Sequence, residues 1–126
     1  MERLRKRADF LAAASGFKVP AALFVLQARD RKDRGPVRVG FTVSKKVGNA
    51  VERNRVRRRL REIVRLRSGD ALRLGHDYVL VGRPAALTAS FTDLVTEYER
   101  SLARLGSAKT RSKPDSRKTD PTASRT

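Results

Sequence analysis

The stretch that most limits what this chain can fold into is Lys45–Arg67, KKVGNAVERNRVRRRLREIVRLR, where ten lysines and arginines meet only two acids, Glu52 and Glu62. Charge that dense on one helix-length segment repels itself unless a polyanion lies against it. Yet the segment also carries an ordered apolar pattern. Val56, Leu60, Ile63 and Val64 recur at i, i+4, i+7 and i+8, the spacing of one stripe on an α-helix. At about 100° per residue, Asn54, Arg58, Arg61 and Arg65 fall opposite that stripe, and Arg53, Arg55, Arg57 and Arg59 lie along its flanks. Such a helix rests on a core by one face and presents charge from the rest. Gly48-Asn49 marks the turn before it. Ser68-Gly69-Asp70 marks its end, because glycine is favoured just past a helix C-terminus.

The flanking sequence supplies a sheet for the helix to rest on. In Val37–Ser44, Val37, Val39, Phe41 and Val43 alternate with Arg38, Gly40, Thr42 and Ser44, the period of a half-buried strand. Ala22–Arg29 is also strand-like, and the charged connector Asp30-Arg-Lys-Asp-Arg-Gly-Pro36 predicts an antiparallel hairpin between the two. Asp77–Gly82 is almost continuously apolar, as an inner strand is, and Pro84 stops it. A short helix is expected over Ala8–Ala14, ended by Gly16, with Phe10, Leu11 and Ala14 near one face. A closing helix opens on Ser90 and Asp93, spaced as a capping box, and lines up Phe91, Leu94, Val95, Tyr98, Leu102 and Leu105. With an extra short strand near Phe17–Val19, the order is α-β-β-(β)-α-β-α. The fold class is α/β, an α+β sandwich of three helices on a small, mostly antiparallel sheet of about four strands.

The 126 residues allow one domain, read as 1–106, followed by a basic tail, 107–126. That tail is Ser, Thr, Lys, Arg, Asp and Pro with almost nothing apolar, and disorder is expected of it. The net charge of +17 and pI near 11.6 exceed what solubility needs and call for an anionic partner. No apolar stretch approaches the ~18 residues of a membrane span. Cysteine is absent, which excludes disulfides and thiol metal sites and fits a cytoplasmic protein. His76 is the only histidine, so no two-histidine acid/base pair exists. The carboxylates show no metal-ligand spacing, and the glycines form neither a Walker A nor a dinucleotide fingerprint. The chain has no autonomous active site in its sequence.

A solvated surface helix is the plain alternative for the basic segment, but such helices intersperse both signs. Arginine dominance points further to phosphate, which the guanidinium fork matches bidentately. Major-groove recognition of DNA needs a companion helix or a dimer zipper, and neither pattern is present. RNA is read by shape, phosphates and unstacked bases. A helix on a small sheet suits it.

The run Val39-Gly-Phe-Thr-Val-Ser-Lys-Lys-Val-Gly-Asn-Ala-Val-Glu-Arg-Asn-Arg55, followed by Arg57, Arg58 and Arg61, resembles the bacterial ribonuclease P protein family without a gap. That family's signature is a strand ending in Ser-Lys-Lys, then Gly-Asn-Ala-Val, then Arg-Asn-Arg entering a basic helix. The likeness extends over residues 1 to about 105 and leaves out the tail. It implies the protein subunit of a ribonucleoprotein that removes the 5′ leader of precursor tRNA. Catalysis would belong to the RNA subunit, which would hold the magnesium ions, with none assigned to the protein. Expected partners are the ribonuclease P RNA and the precursor's leader, with no membrane, in a cytoplasmic and monomeric protein. The resemblance also implies a left-handed crossover carrying the basic helix, against the usual right-handed rule. A ribosomal-type RNA-binding protein without a nuclease role is the alternative.

Carried over by position, the resemblance implies RNA contacts at Lys45, Lys46, Asn49, Arg53, Asn54, Arg55, Arg57, Arg58 and Arg61. It further implies a leader-binding cleft between the first helix and the sheet, with aromatic side chains that stack on bases. Phe10 matches one such position, while Ala14 and Gln27 stand where aromatics are common. Phe17 and Lys18 are candidate substitutes within the cleft; for Phe17 ordinary core packing is the alternative, and Phe24 reads more as core.

Overall fold

The computed structural model describes residues 1–111, with side chains to residue 106. Its elements are β1 Glu2–Arg3, α1 Arg7–Ala14, β2 Phe17–Pro20, β3 Phe24–Asp30, β4 Arg38–Val43, a 3₁₀ turn Lys45–Val47, α2 Ala50–Arg67, β5 His76–Gly82, a 3₁₀ turn Pro84–Leu87 and α3 Phe91–Arg111. The tail expected from residue 107 overlaps the end of α3, and 112–126 lie outside the described residues.

The strands form one sheet in the order β1-β4-β5-β3-β2. Two details depart from the sequence expectation. There are five strands rather than about four, because the two-residue β1, too short to show any alternation, adds to the outer edge of β4. The sheet is also evenly divided instead of mostly antiparallel: β1/β4 and β4/β5 are parallel, while β3/β5 and β2/β3 are antiparallel.

The expected hairpin between β3 and β4 does not form, since β5 lies between them and pairs with both. A strand that is apolar on both faces belongs where both faces are covered, and β5 is buried at every position but Val81. The connector after β3 arches over the start of β5. Arg31 N–H donates to Gly75 O at 2.9 Å, and Gly75 N–H donates to Gly35 O at 2.8 Å. Gly75 sits at φ +73, where a Cβ would meet Asp33 O at 2.1 Å, so only glycine fits beneath this arch.

The two faces of the sheet are covered differently. On one, α2 and α3 press the fully buried Val56, Leu60, Ile63 and Leu94 onto Phe24, Leu26 and Leu80. The stripe expected on α2 is the stripe that is buried. Most of the expected α3 face is buried too, but Phe91 stays 40% exposed in the first turn. Ser68 Oγ donates to Val64 O at 2.6 Å and shares a 2.7 Å hydrogen bond with Tyr98 Oη, tying the end of α2 to α3. Burial pushes the Tyr98 hydroxyl up to about 12.

On the other face α1 covers a small cluster of Leu4, Ala13 and Val79, with Phe10 and Val81 packed against it. Charge completes this layer. Asp77 is fully buried at the start of β5, where its carboxylate accepts from Arg31 Nη1 at 2.6 Å and from Arg38 Nε and Nη2 at 2.8 and 2.9 Å. Arg38 and Arg29 also reach Asp9 on α1, at 3.5 and 3.6 Å.

Candidate nucleic-acid interface

The start of α2 is fixed by the acid that its charge pattern makes look misplaced. Asn49 Oδ1 accepts from Glu52 N–H at 2.9 Å, and Glu52 Oε1 accepts from Asn49 N–H at 2.9 Å, a reciprocal capping box. Glu52 is thereby spent on the helix N-terminus, where a negative charge also favours the helix dipole. Just before it, Ser44 Oγ accepts from Lys46 N–H at 3.3 Å, and buried Val47 anchors the 3₁₀ turn. Lys45 and Lys46 are left pointing outward, both exposed. The Ser-Lys-Lys…Gly-Asn-Ala-Val motif is therefore a mount that sets the angle of the basic helix.

The expected RNA-contacting residues do not all stand equally free. Arg55 and Arg58 are exposed, and with Lys45 and Lys46 their side chains have no hydrogen bond or ion pair among the described residues. Half-buried Arg53 donates to Gly48 O at 3.1 Å, which aims it along the N-terminal end of α2. Arg57 donates to Asn54 Oδ1 at 2.9 Å. Arg61 lies over the Phe41 ring, 5.7 Å from its centroid. Asn49 has its carbonyl committed to the cap and keeps only its amide donors.

The remaining arginines divide by role. Arg59 donates to Ala89 O and is drawn into the seam with the segment before α3, where its Nε is buried without a partner. Arg65 pairs with Glu62 at 2.6 Å, and that hydrogen bond holds the Glu62 carboxyl below its usual range. The Glu62–Arg65 pair follows from its i,i+3 spacing, whereas the role of Arg59 is not visible from spacing alone, because the helix flank reads as solvent-facing charge.

The opposite face of the sheet holds the expected cleft residues, with one exception. Register places Lys18, Gln27, Val79 and Gly40 in one cross-strand row. Phe10 of α1 lies on that row, so close to Gly40 that a Cβ there would meet the ring at 2.5 Å. Phe10, Ala14 and Gln27 are half-buried and Lys18 is exposed. Beside them Val25, Val81 and Thr42 form a half-buried row that sequence reasoning missed. Strand parity could have found it, since Val25 shares a face with Gln27. Phe17 falls outside the cleft. It pairs with Ala28 and packs against the α2/α3 core on the far side of the sheet, where fully buried Phe24 also lies.

His76 is held as a structural residue. Its Nδ1 is 2.8 Å from Leu74 O, and its ring stacks on Tyr78. Among the described residues no group of three or more His, Cys, Asp or Glu side chains is placed to hold a metal ion, and no helix is long and apolar enough to cross a membrane.

Comparison with known proteins gives a consistent result. The family model described as Ribonuclease P matches residues 1–106. The ribonuclease P protein component of Gluconacetobacter diazotrophicus is 52% identical over 105 residues, covering 82% of this chain and 90% of that protein. That of Bartonella quintana is 47% identical over 106 residues, covering 79% and 80%. Among solved structures, the Staphylococcus aureus RNase P protein superposes with a TM-score of 0.72 at 29% identity, covering 83% of this chain and 95% of that one. The Thermotoga maritima RNase P protein gives 0.69 at 30%, covering 82% and 97%.

Proposed function

This chain belongs to the ribonuclease P protein family, and on that premise we propose that its basic helix holds the RNA subunit while the α1 face holds the 5′ leader of precursor tRNA. As the protein component it is part of an RNA-processing nuclease, and the relatives it matches carry that name rather than a ribosomal one. The observation that carries the division of labour is a set of cations without a partner among the described residues, Lys45 and Lys46 in the turn before α2 and Arg55 and Arg58 on it, mounted by the Ser44–Glu52 motif. Each phosphate they neutralise releases counterions, so binding strengthens as salt falls.

The protein's own part is to bind and orient. Phe10 offers an aromatic face and Lys18 a charge beside the Val25–Val81–Thr42 floor, a surface suited to an unpaired strand. Asp9, Asp33 and Asp77 are each engaged by arginines, which leaves those three carboxylates poorly suited to a resident magnesium. We therefore assign the magnesium that activates the attacking water to the RNA subunit, along with catalysis. The protein is read as monomeric and acting in the cytoplasm.

Reconstitution tests this reading. The chain, a ribonuclease P RNA and a precursor tRNA at low magnesium should give accurate 5′ maturation that the RNA alone does not. Binding without maturation would favour a general RNA-binding role instead.

A further inference from the structure

We propose that the groove between the second half of α2 and the outer edge of the sheet is a pocket for one unpaired nucleotide of the RNA, with Phe41 and Arg61 as its stacking platform. The inference rests on the RNA-holding role of α2 and adds to it a contact that reads a base. The groove encloses about 200 Å³. Val39, Phe41 and Val64 form its floor, and Arg3, Arg61 and Arg65 stand at its rim.

Its openness follows from the topology. Phe41 shares strand parity with Val39 and Val43, so its ring points to the α2 side and packs against the margin of the main core. The short β1 pairs with β4 only at Arg38 and Val39. Beyond that point no strand among the described residues covers the edge beside Phe41, which remains half-buried.

The chemistry of the groove selects its occupant. An apolar floor with the Arg61 guanidinium over the Phe41 ring, 5.7 Å from its centroid, offers a base an aromatic and a cationic group to stack against. Arginines at the rim suit the phosphates on either side of that base. Glu2 also lines the groove, and Glu62 pairs with Arg65, yet Arg65 stays 64% exposed and is free to exchange that carboxylate for a phosphate. A duplex presents phosphates and keeps its bases stacked inside, so it cannot fill an apolar groove. An unpaired nucleotide can.

The test is a salt series of equilibrium affinities for the cognate ribonuclease P RNA. Phe41→Leu keeps an apolar side chain but removes the ring, and should weaken binding about 5- to 150-fold. The slope of log affinity on log salt should not change, because stacking neutralises no phosphate. Phe41→Tyr retains the ring and should bind as the unaltered protein does. Arg61→Ala should lower both affinity and slope. Unchanged affinity in Phe41→Leu, an equal loss in Phe41→Tyr, or a loss accompanied by a shallower slope would each overturn the pocket. Arg55→Ala/Arg58→Ala serves as the control. If that pair weakens binding while Phe41→Leu does not, only the pocket fails; if neither does, the RNA-holding role of α2 fails with it.

Discussion

On one side of the sheet α2 and α3 rest on a continuous apolar core reaching from Val19 to Leu105, whereas α1 on the other side rests on Leu4, Ala13 and Val79 and a lattice of ion pairs. The first arrangement gains chiefly from the apolar area it buries. The second depends on whether charges are paired. The difference places an apolar mount under the helix proposed to hold the RNA and an ion-paired wall beside the proposed leader cleft.

The largest effect is expected at the hub of the α1 face. Asp77→Asn leaves Arg31 and Arg38 without their carboxylate and should cost about 3–5 kcal/mol in urea unfolding. Burial pushes the Asp77 carboxyl up, but the hydrogen bonds from Arg38 and Arg31 outweigh it and hold it below its usual range. Stability from a depressed carboxylate is fully present above its unfolded pKa of about 3.9 and is lost as pH falls through the lower folded value. The unaltered protein should therefore lose stability below about pH 4 more steeply than the variant. Hydrogen exchange should show α1 opening before α2. Simultaneous opening of both would erase the distinction between the faces.

A smaller and more specific loss is expected from Phe10→Ala. It should weaken leader-containing precursor by about 1–3 kcal/mol more than mature tRNA. Equal losses on the two substrates, measured side by side, would make Phe10 a packing residue over Gly40 and nothing more.

Periodicity carried a good part of this fold. The Val56–Leu60–Ile63–Val64 stripe and the inner position of Asp77–Gly82 follow from it because both reflect local burial. What sequence could not supply was adjacency. A charged connector after β3 fits a hairpin as well as an arch over β5, and only the demand of β5 for cover on both faces decides between them. The Arg29, Arg31 and Arg38 network was hidden for a related reason: these residues read as a solvated turn and its flanks, and their common partner lies 39 to 48 positions away on Asp77. Arg61 over Phe41 is likewise a pairing of an unremarkable helix face with a strand, and neither segment alone carries a signature of it.

The smallest effect separates the mount from the RNA-touching side chains. Asn49→Ala removes the side-chain half of the capping box and should cost about 0.5–2 kcal/mol of stability, with leader discrimination intact. A loss of RNA affinity well beyond that stability change would show Asn49 touching RNA through its amide.

The central claim is that the one-sided charge of α2 is what holds the RNA. Its most direct test is the salt dependence of ribonuclease P RNA binding by Arg53→Ala/Arg55→Ala/Arg58→Ala. Weaker binding is expected, with a slope shallower by about 1 for each phosphate that the variant no longer neutralises. An unchanged affinity with an unchanged slope would contradict it.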